Sequence, residues 1–208
     1  MRIIDISLSL NRETVIYPGN VPLSISIHHA IPEYETQLSS ITFGSHTGTH
    51  IDAPMHAVLG GPALDKIPLE NFVGLCRVLD LSTVIGGAIT EEMLKEKNIK
   101  DGERILLKTK NSIRGLKQFH EDFVYLDGDA ADYLASLQPL LVGIDSLSIK
   151  QRGGKDHRAH TSLLSKNIPI LEGIDLKLAD EKEYELFCLP LKFTDIDGAP
   201  ARAVLIER

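Results

Sequence analysis

Along much of this chain apolar residues recur at every second position, the period of a strand with one buried face. The stretch 23–29 is the clearest: Leu23, Ile25 and Ile27 alternate with Ser24, Ser26 and His28. Other short apolar runs, many bounded by Gly, Pro, Asn or Asp, bring the number of predicted strands to ten. They lie at residues 3–7, 23–29, 38–43, 76–81, 104–109, 123–126, 140–144, 168–171, 184–192 and 201–206. Helical signals are fewer. Thr90 ahead of Glu91 and Glu92 makes a cap with an acidic first turn, and predicts a helix ending near Asn98. Asp129 opens DAADYLASLQ in the same way and Pro139 closes it. A shorter helix is expected over 160–165, stopping at Asn167 before Pro169.

Ten strands against three helices leave too few crossovers for an all-parallel sheet, which argues against a doubly wound fold. The expectation is an α/β fold: a single domain over residues 1–208, with a mixed, largely antiparallel β-sheet and a few helices. No internal repeat or linker-like shift in composition divides the chain. Its 208 residues, 43% hydrophobic and 25% charged, are enough for a sizeable core.

Net charge is −7 with no basic block, which speaks against a nucleic-acid partner. No apolar run approaches the roughly 18 residues that would suggest a membrane span. The opening MRIIDISLSLNRET turns polar quickly and reads as a first strand rather than a targeting segment. Cys76 and Cys188 sit in apolar runs and read as buried free thiols, pointing to a cytoplasmic compartment.

The chemistry concentrates in GSHTGTHIDAPMH, residues 44–56. His46, His50, Asp52 and His56 are separated by even numbers of residues, so an extended chain would turn all four to one face. Imidazole and carboxylate are ligands for Zn²⁺ and also suit Mn²⁺. A metal-dependent enzyme is the natural reading. A closed structural zinc site is the weaker alternative, since such sites are usually Cys-rich and no Cys is near. Further ligands must come from elsewhere, and His157, His160 and Glu172 are candidates. Glu172 ends an apolar strand, where a carboxylate either faces solvent or needs a compensating cation.

GSHTGTHIDAPMH resembles the HxGTHxDxPxH signature of the cyclase family, which includes bacterial kynurenine formamidases and isatin hydrolases. The likeness extends to DISLSL and YPG near the start, GIDSLSI, HRAHTSLLSKNIPILEGIDL and LPLKFTDIDGAPARAVLIE, nearly the whole chain. The resemblance implies a swivelling β/β/α-like fold and two divalent metal ions, with Zn²⁺ preferred and Mn²⁺ compatible. It implies metal ligation by His46, His50 and Asp52, with Asp52 bridging to a second metal held by His160 and Glu172. It makes His56 the catalytic acid/base rather than a ligand. The implied reaction is hydrolysis of an aromatic amide, an N-formyl arylamine such as N-formylkynurenine, by metal-activated hydroxide. A small cyclic amide or lactone, as for the isatin hydrolases, is the alternative substrate. The family also implies a homodimer or higher homo-oligomer.

The chain departs from the formamidases in two places. Tyr17 stands in the substrate loop where they typically carry Trp, and can stack on an aryl ring with less area. The segment after Asp145 and Ser146 runs into SIKQRGGKDH instead of their usual Asp-Pro pair. His157 shares a helical face with His160 and could contact substrate. Lys155 and Arg158 could meet a substrate carboxylate, though a solvated loop is the plainer reading. Gly153 and Gly154 beside Arg152 lack the context of a phosphate loop. His120 reads as surface. His28 and His29, adjacent in one strand, should face opposite sides, outside the chemistry.

Overall fold

Seven strands close on themselves at the centre of the molecule, and an eighth pairs with the C-terminal half of one of the two strands that close the ring. The computed structural model describes residues 1–84 and 87–207. Its strands in chain order are β1 (Arg2–Asp5), β2 (Ser24–His29), β3 (Leu38–Thr42), β4 (His50–Asp52), β5 (Val73–Asp80) and β6 (Ala88–Ile89). Then come β7 (Arg104–Lys108), β8 (Tyr125–Leu126), β9 (Leu141–Ile144), β10 (Ile170–Glu172), β11 (Glu183–Pro190) and β12 (Gly198–Glu207). The helices are α1 (Glu91–Lys95), α2 (Lys110–Arg114), α3 (Gly128–Ser136) and α4 (Arg158–Leu164).

The main sheet runs β1-β12-β11-β5-β7-β9-β10-β4, and β4 also pairs with β12, which closes the ring. Strands β5, β7, β9 and β10 are parallel neighbours; the other pairings of the ring are antiparallel. The expected mixed, largely antiparallel sheet is therefore present, as a barrel. Every ring strand contributes to one apolar cluster that includes Ile51, Val78, Leu106, Leu141, Leu171, Leu186 and Leu205. Because successive strand residues alternate in direction, the intervening Leu79, Ile105, Leu107, Val142, Ile144 and Ile170 point outward. They pack with Leu94 of α1, Ala130 and Leu134 of α3, and Leu163 of α4 in a second cluster. Each such buried Leu or Ile side chain stabilises by about 1.5–3 kcal/mol. Cys76 and Cys188 are free and buried, as expected, and burial pushes the Cys76 thiol up to about 12.

All ten expected strands form, with ends moved by up to three residues, and β4 and β6 are additional. The helices differ more. Asp127 rather than Asp129 caps α3: its backbone is extended and its carboxylate accepts from Ala130 N at 2.7 Å. Asp129 instead pairs with Arg158 at 2.7 Å. The first helix stops at Lys95, although turns continue to Asn98 at φ 49°, and Thr90 does not cap it through its side chain. The third begins earlier, at Arg158.

The unexpected α2 depends on a residue distant in sequence. The buried Asp145 accepts from Thr109 N at 2.7 Å and Ser112 N at 3.0 Å. A five-residue helix so anchored has too little period of its own to be seen in sequence. The stretch 23–29 forms β2, but among the described residues it pairs with β3 alone, in a separate two-stranded sheet. A register irregularity between Ile27 and His29 breaks the alternation, so His28 and His29 do not oppose each other; their rings stack at 4.6 Å.

Candidate metal centre

Strand register builds the site. The three residues of β4 lie between β10 and β12, with His50 directly opposite Glu172 and Asp52 opposite Ile170. Facing residues of an antiparallel pair share a side of the sheet, and so do residues two apart in one strand. His50, Asp52 and Glu172 therefore converge, while Ile51 between them fills the barrel interior. All three polar residues are buried. The backbone crosses closely beside them, before His50 and after Glu172: Gly48 and Gly173 both have left-handed φ, 64° and 68°. A Cβ on Gly173 would run into the Gly48 carbonyl. Thr49 fixes this crossing, its hydroxyl donating to Gly173 O and accepting from Leu8 N at 2.8 Å.

The other side chains arrive from three directions. His46 places Nδ1 2.7 Å from Asp52 Oδ1 and Nε2 2.8 Å from Asp197 Oδ2. His160, from α4, brings Nε2 to 3.3 Å from Glu172 Oε1 and 3.6 Å from Asp52 Oδ2. His56 ends the turn Pro54–His56; its ring lies 4.1 Å from that of His46 and 5.3 Å from that of His160. His56 Nδ1 is 3.6 Å from Asp197 Oδ2. The loop after β9 closes on the same point, since Ile149 N donates to Glu172 Oε1 at 2.6 Å.

These groups bias one another strongly. Burial alone would lower the imidazolium of His50, but the carboxylates of Asp52 and Glu172 outweigh it and raise the group to about 10. Burial would raise Asp52, yet His46 and His50 hold it well below the usual carboxylate range. Glu172 is also lowered: burial and the charge of Asp52 oppose this, and His160 and His50 prevail. His46 and His160 are raised against burial, chiefly by Asp52 and Glu172 respectively. His56 moves the other way. Burial lowers it, and the neighbouring His46 and His160 add to the effect against the pull of the carboxylates.

The donor set fits a metal. His50 Nδ1 donates to Gly48 O at 3.0 Å, so Nε2 is the nitrogen that faces Asp52 Oδ1 at 3.2 Å and Glu172 Oε2 at 3.4 Å, where it holds the proton that a cation would displace. Despite that proximity, His50 Nε2 and Asp52 Oδ2 are buried without a properly directed hydrogen bond. Two buried carboxylates converging on imidazole nitrogens, with one oxygen unsatisfied, suit a cation. Two groups could each hold one, within 4.8 Å: His50, Asp52 and Glu172, and His46, Asp52 and His56. Asp52 belongs to both, the arrangement a bridging carboxylate requires.

The cluster opens into a cavity of about 200 Å³ lined by Tyr17, Asn20, Leu147, Ser148 and Lys150 together with His46, His56, His160 and Glu172. Of the residues singled out in sequence, Tyr17, His46, His50, Asp52, His56, His160 and Glu172 thus meet in one place. His157 is an exposed residue at the N-cap of α4, and Arg158 is tied to Asp129, Asp132 and Asp156 on the outer surface. Lys155 is exposed and His120 contacts Arg114, so neither reaches the cavity. Two residues were not foreseen. Asp197 lies in LPLKFTDIDGAP, where an Asp-Gly pair signals only a turn, and nothing in SIKQRGGKDH marks out Lys150.

Residues 4–151 match the family model described as "Putative cyclase". A kynurenine formamidase from Salinibacter ruber is 35% identical over 207 residues, covering 99% of this chain and 97% of that protein. The structure of a potential metal-dependent hydrolase with cyclase activity superposes with a TM-score of 0.88 at 37% identity, covering 100% of this chain and 98% of the other. Isatin hydrolase A from Labrenzia aggregata shares the fold, with a TM-score of 0.85 at 22% identity and coverage of 98% and 93%.

Proposed function

The chain belongs to the cyclase family of metal-dependent hydrolases, and from that premise we propose that it hydrolyses the formamide bond of an N-formyl arylamine such as N-formylkynurenine. The observation that carries the reading is the pairing of His50 with Glu172 across β4 and β10, with Asp52 on the same face and its Oδ2 unsatisfied. His46, His50, Asp52, His160 and Glu172 would hold two divalent cations, Zn²⁺ or Mn²⁺, with Asp52 between them. Bound there, the cations supply Lewis-acid polarisation of a carbonyl and acidify water.

The rest falls to the chain's own side chains. Asp197 accepts from His46 Nε2, so that Nδ1 is the atom left facing Asp52. His56 is the acid/base: a lowered imidazole is free to take a proton at neutral pH and deliver it to the leaving arylamine nitrogen. Its side chain is 31% exposed, towards the cavity where a substrate would sit. Tyr17 packs edge-on against Phe119 at 5.3 Å and presents its ring to an aryl substrate.

No helix among the described residues is long and apolar enough to cross a membrane. A cytoplasmic enzyme of one domain agrees with the two buried free thiols. A homodimer or higher assembly agrees with the uncovered apolar residues of the β2–β3 hairpin. The test combines metal analysis per chain with the loss of N-formylkynurenine absorbance on mixing with the metal-loaded protein. Two metals and turnover are expected. Turnover of isatin with none of N-formylkynurenine would overturn the formamide reading.

A further inference from the structure

Among the described residues the cavity has one lysine or arginine in its lining, Lys150. It follows Ile149, whose backbone N–H holds Glu172, so a single peptide ties it to the metal centre. Its Nζ donates to Gly154 O at 2.6 Å and Gln151 O at 3.3 Å, and among the described residues it forms no ion pair. The other basic groups of this loop are used or point elsewhere. Arg152 pairs with Glu121 at 2.8 Å and lies over the rings of Tyr17 and Phe119. Arg158 is held by three aspartates, and Lys155 is exposed.

A half-buried ammonium whose partners are neutral carbonyls has charge left to satisfy, and in a cleft it attracts an anion more strongly than at an open surface. We infer that Lys150 binds a carboxylate of the substrate, which makes the preferred substrates aryl formamides that carry a carboxylate rather than ones without it. This rests on the formamidase reading and narrows it. The aryl ring would lie by Tyr17, the formyl group by His56 and the metal ligands, and the acid on Lys150. The Lys150 carbonyl partners, donated by a loop that folds back on itself at Gly154, keep the ammonium from swinging into solvent.

The test compares N-formylkynurenine with N-formyl-2-aminoacetophenone, which has the same formamide and ring but lacks the α-ammonium and carboxylate, of which only the carboxylate can pair with a lysine. Lys150→Met should raise KM for the acid by roughly 10–100-fold, the effect of one charged hydrogen bond, with kcat little changed. The neutral compound should be hydrolysed as before, and Lys150→Arg should recover part of the loss. Equal losses on both compounds, or none on either, would overturn the assignment. Calorimetry with kynurenine and 2-aminoacetophenone on the metal-loaded protein reads binding without turnover. If the unaltered protein hydrolyses neither formamide, the formamidase reading falls. Lys150 is then judged by calorimetry alone: weaker kynurenine binding by Lys150→Met sustains its role, and unchanged binding ends it.

Discussion

The β4–β10 corner and the β2–β3 hairpin are opposites. The hairpin has the plainer sequence, with apolar and polar residues alternating through 23–29, yet Ile27 and Ile41 remain 59% and 56% exposed. The corner consists of two three-residue strands whose polar residues His50, Asp52 and Glu172 are all buried. Alternation thus announces a strand without saying what covers it. The corner is held by its surroundings: neighbours on both edges of β4, close backbone contact at Gly48 and Gly173, and an electrostatic demand for a cation. One region has a pattern waiting for a partner, and the other has its partners and almost no pattern.

The largest way to break the contrast is to remove the carboxylate opposite His50. Glu172→Ala deletes a proposed ligand and leaves His50, His160 and the Ile149 N–H without their shared acceptor. Metal content per chain should fall, and turnover should drop by more than the roughly 100-fold that losing a group outside the ligand set costs. Full metal content in this variant would mean that the corner is not the metal site. His56→Ala comes next. It should keep its metal and lose about 10²–10⁴-fold in kcat, the range of general acid–base catalysis. The ligating atoms of His46, Asp52 and His56 lie close enough to share one ion, so metal loss from this variant would make His56 a ligand instead.

Asp197→Asn is smaller and sharper. The amide can still accept from His46 Nε2, but it carries no charge to stabilise the ring. A decrease of roughly 10–100-fold in metal affinity or activity is expected, with Asp197→Ala at least as severe. Equal metal affinity in both variants and the unaltered protein would leave Asp197 a bystander.

Much of the barrel was legible because its central strands carry long apolar runs; residues 104–109 and 140–144 fall on β7 and β9 to within a residue or so. Strand β4 was not, since three residues reading His-Ile-Asp look like chemistry before they look like a strand. Helix α2 needed Asp145 to be seen as its anchor, from more than thirty residues away. The site divides similarly. Even spacing alone suggested that His46, His50, Asp52 and His56 converge, and the structure brings them together. His160 and Glu172 were assigned by resemblance, because cross-strand register is invisible in one sequence. Asp197 and Lys150 had no such guide: each matters through a neighbour from another part of the chain, His46 in one case and Gly154 in the other.

The smallest expected effect belongs to the hairpin, and it tests the other half of the comparison. If its apolar face has no partner within the chain, Ile27→Ser with Ile41→Ser should change the monomer's unfolding free energy by only about 0.5 kcal/mol per site or less. Side chains packed in a core would cost about 1.5–3 kcal/mol each. The proposed assembly gives the same residues a second signature. Association that stabilises only the folded state makes the unfolding midpoint of the unaltered chain rise with protein concentration. The double variant should lose that dependence while its midpoint at high dilution stays where the unaltered chain's lies. A large loss at high dilution would show that the hairpin packs on its own core. A concentration dependence equal in both proteins would put the contact between copies elsewhere, and leave the exposed face of β2 and β3 as ordinary surface.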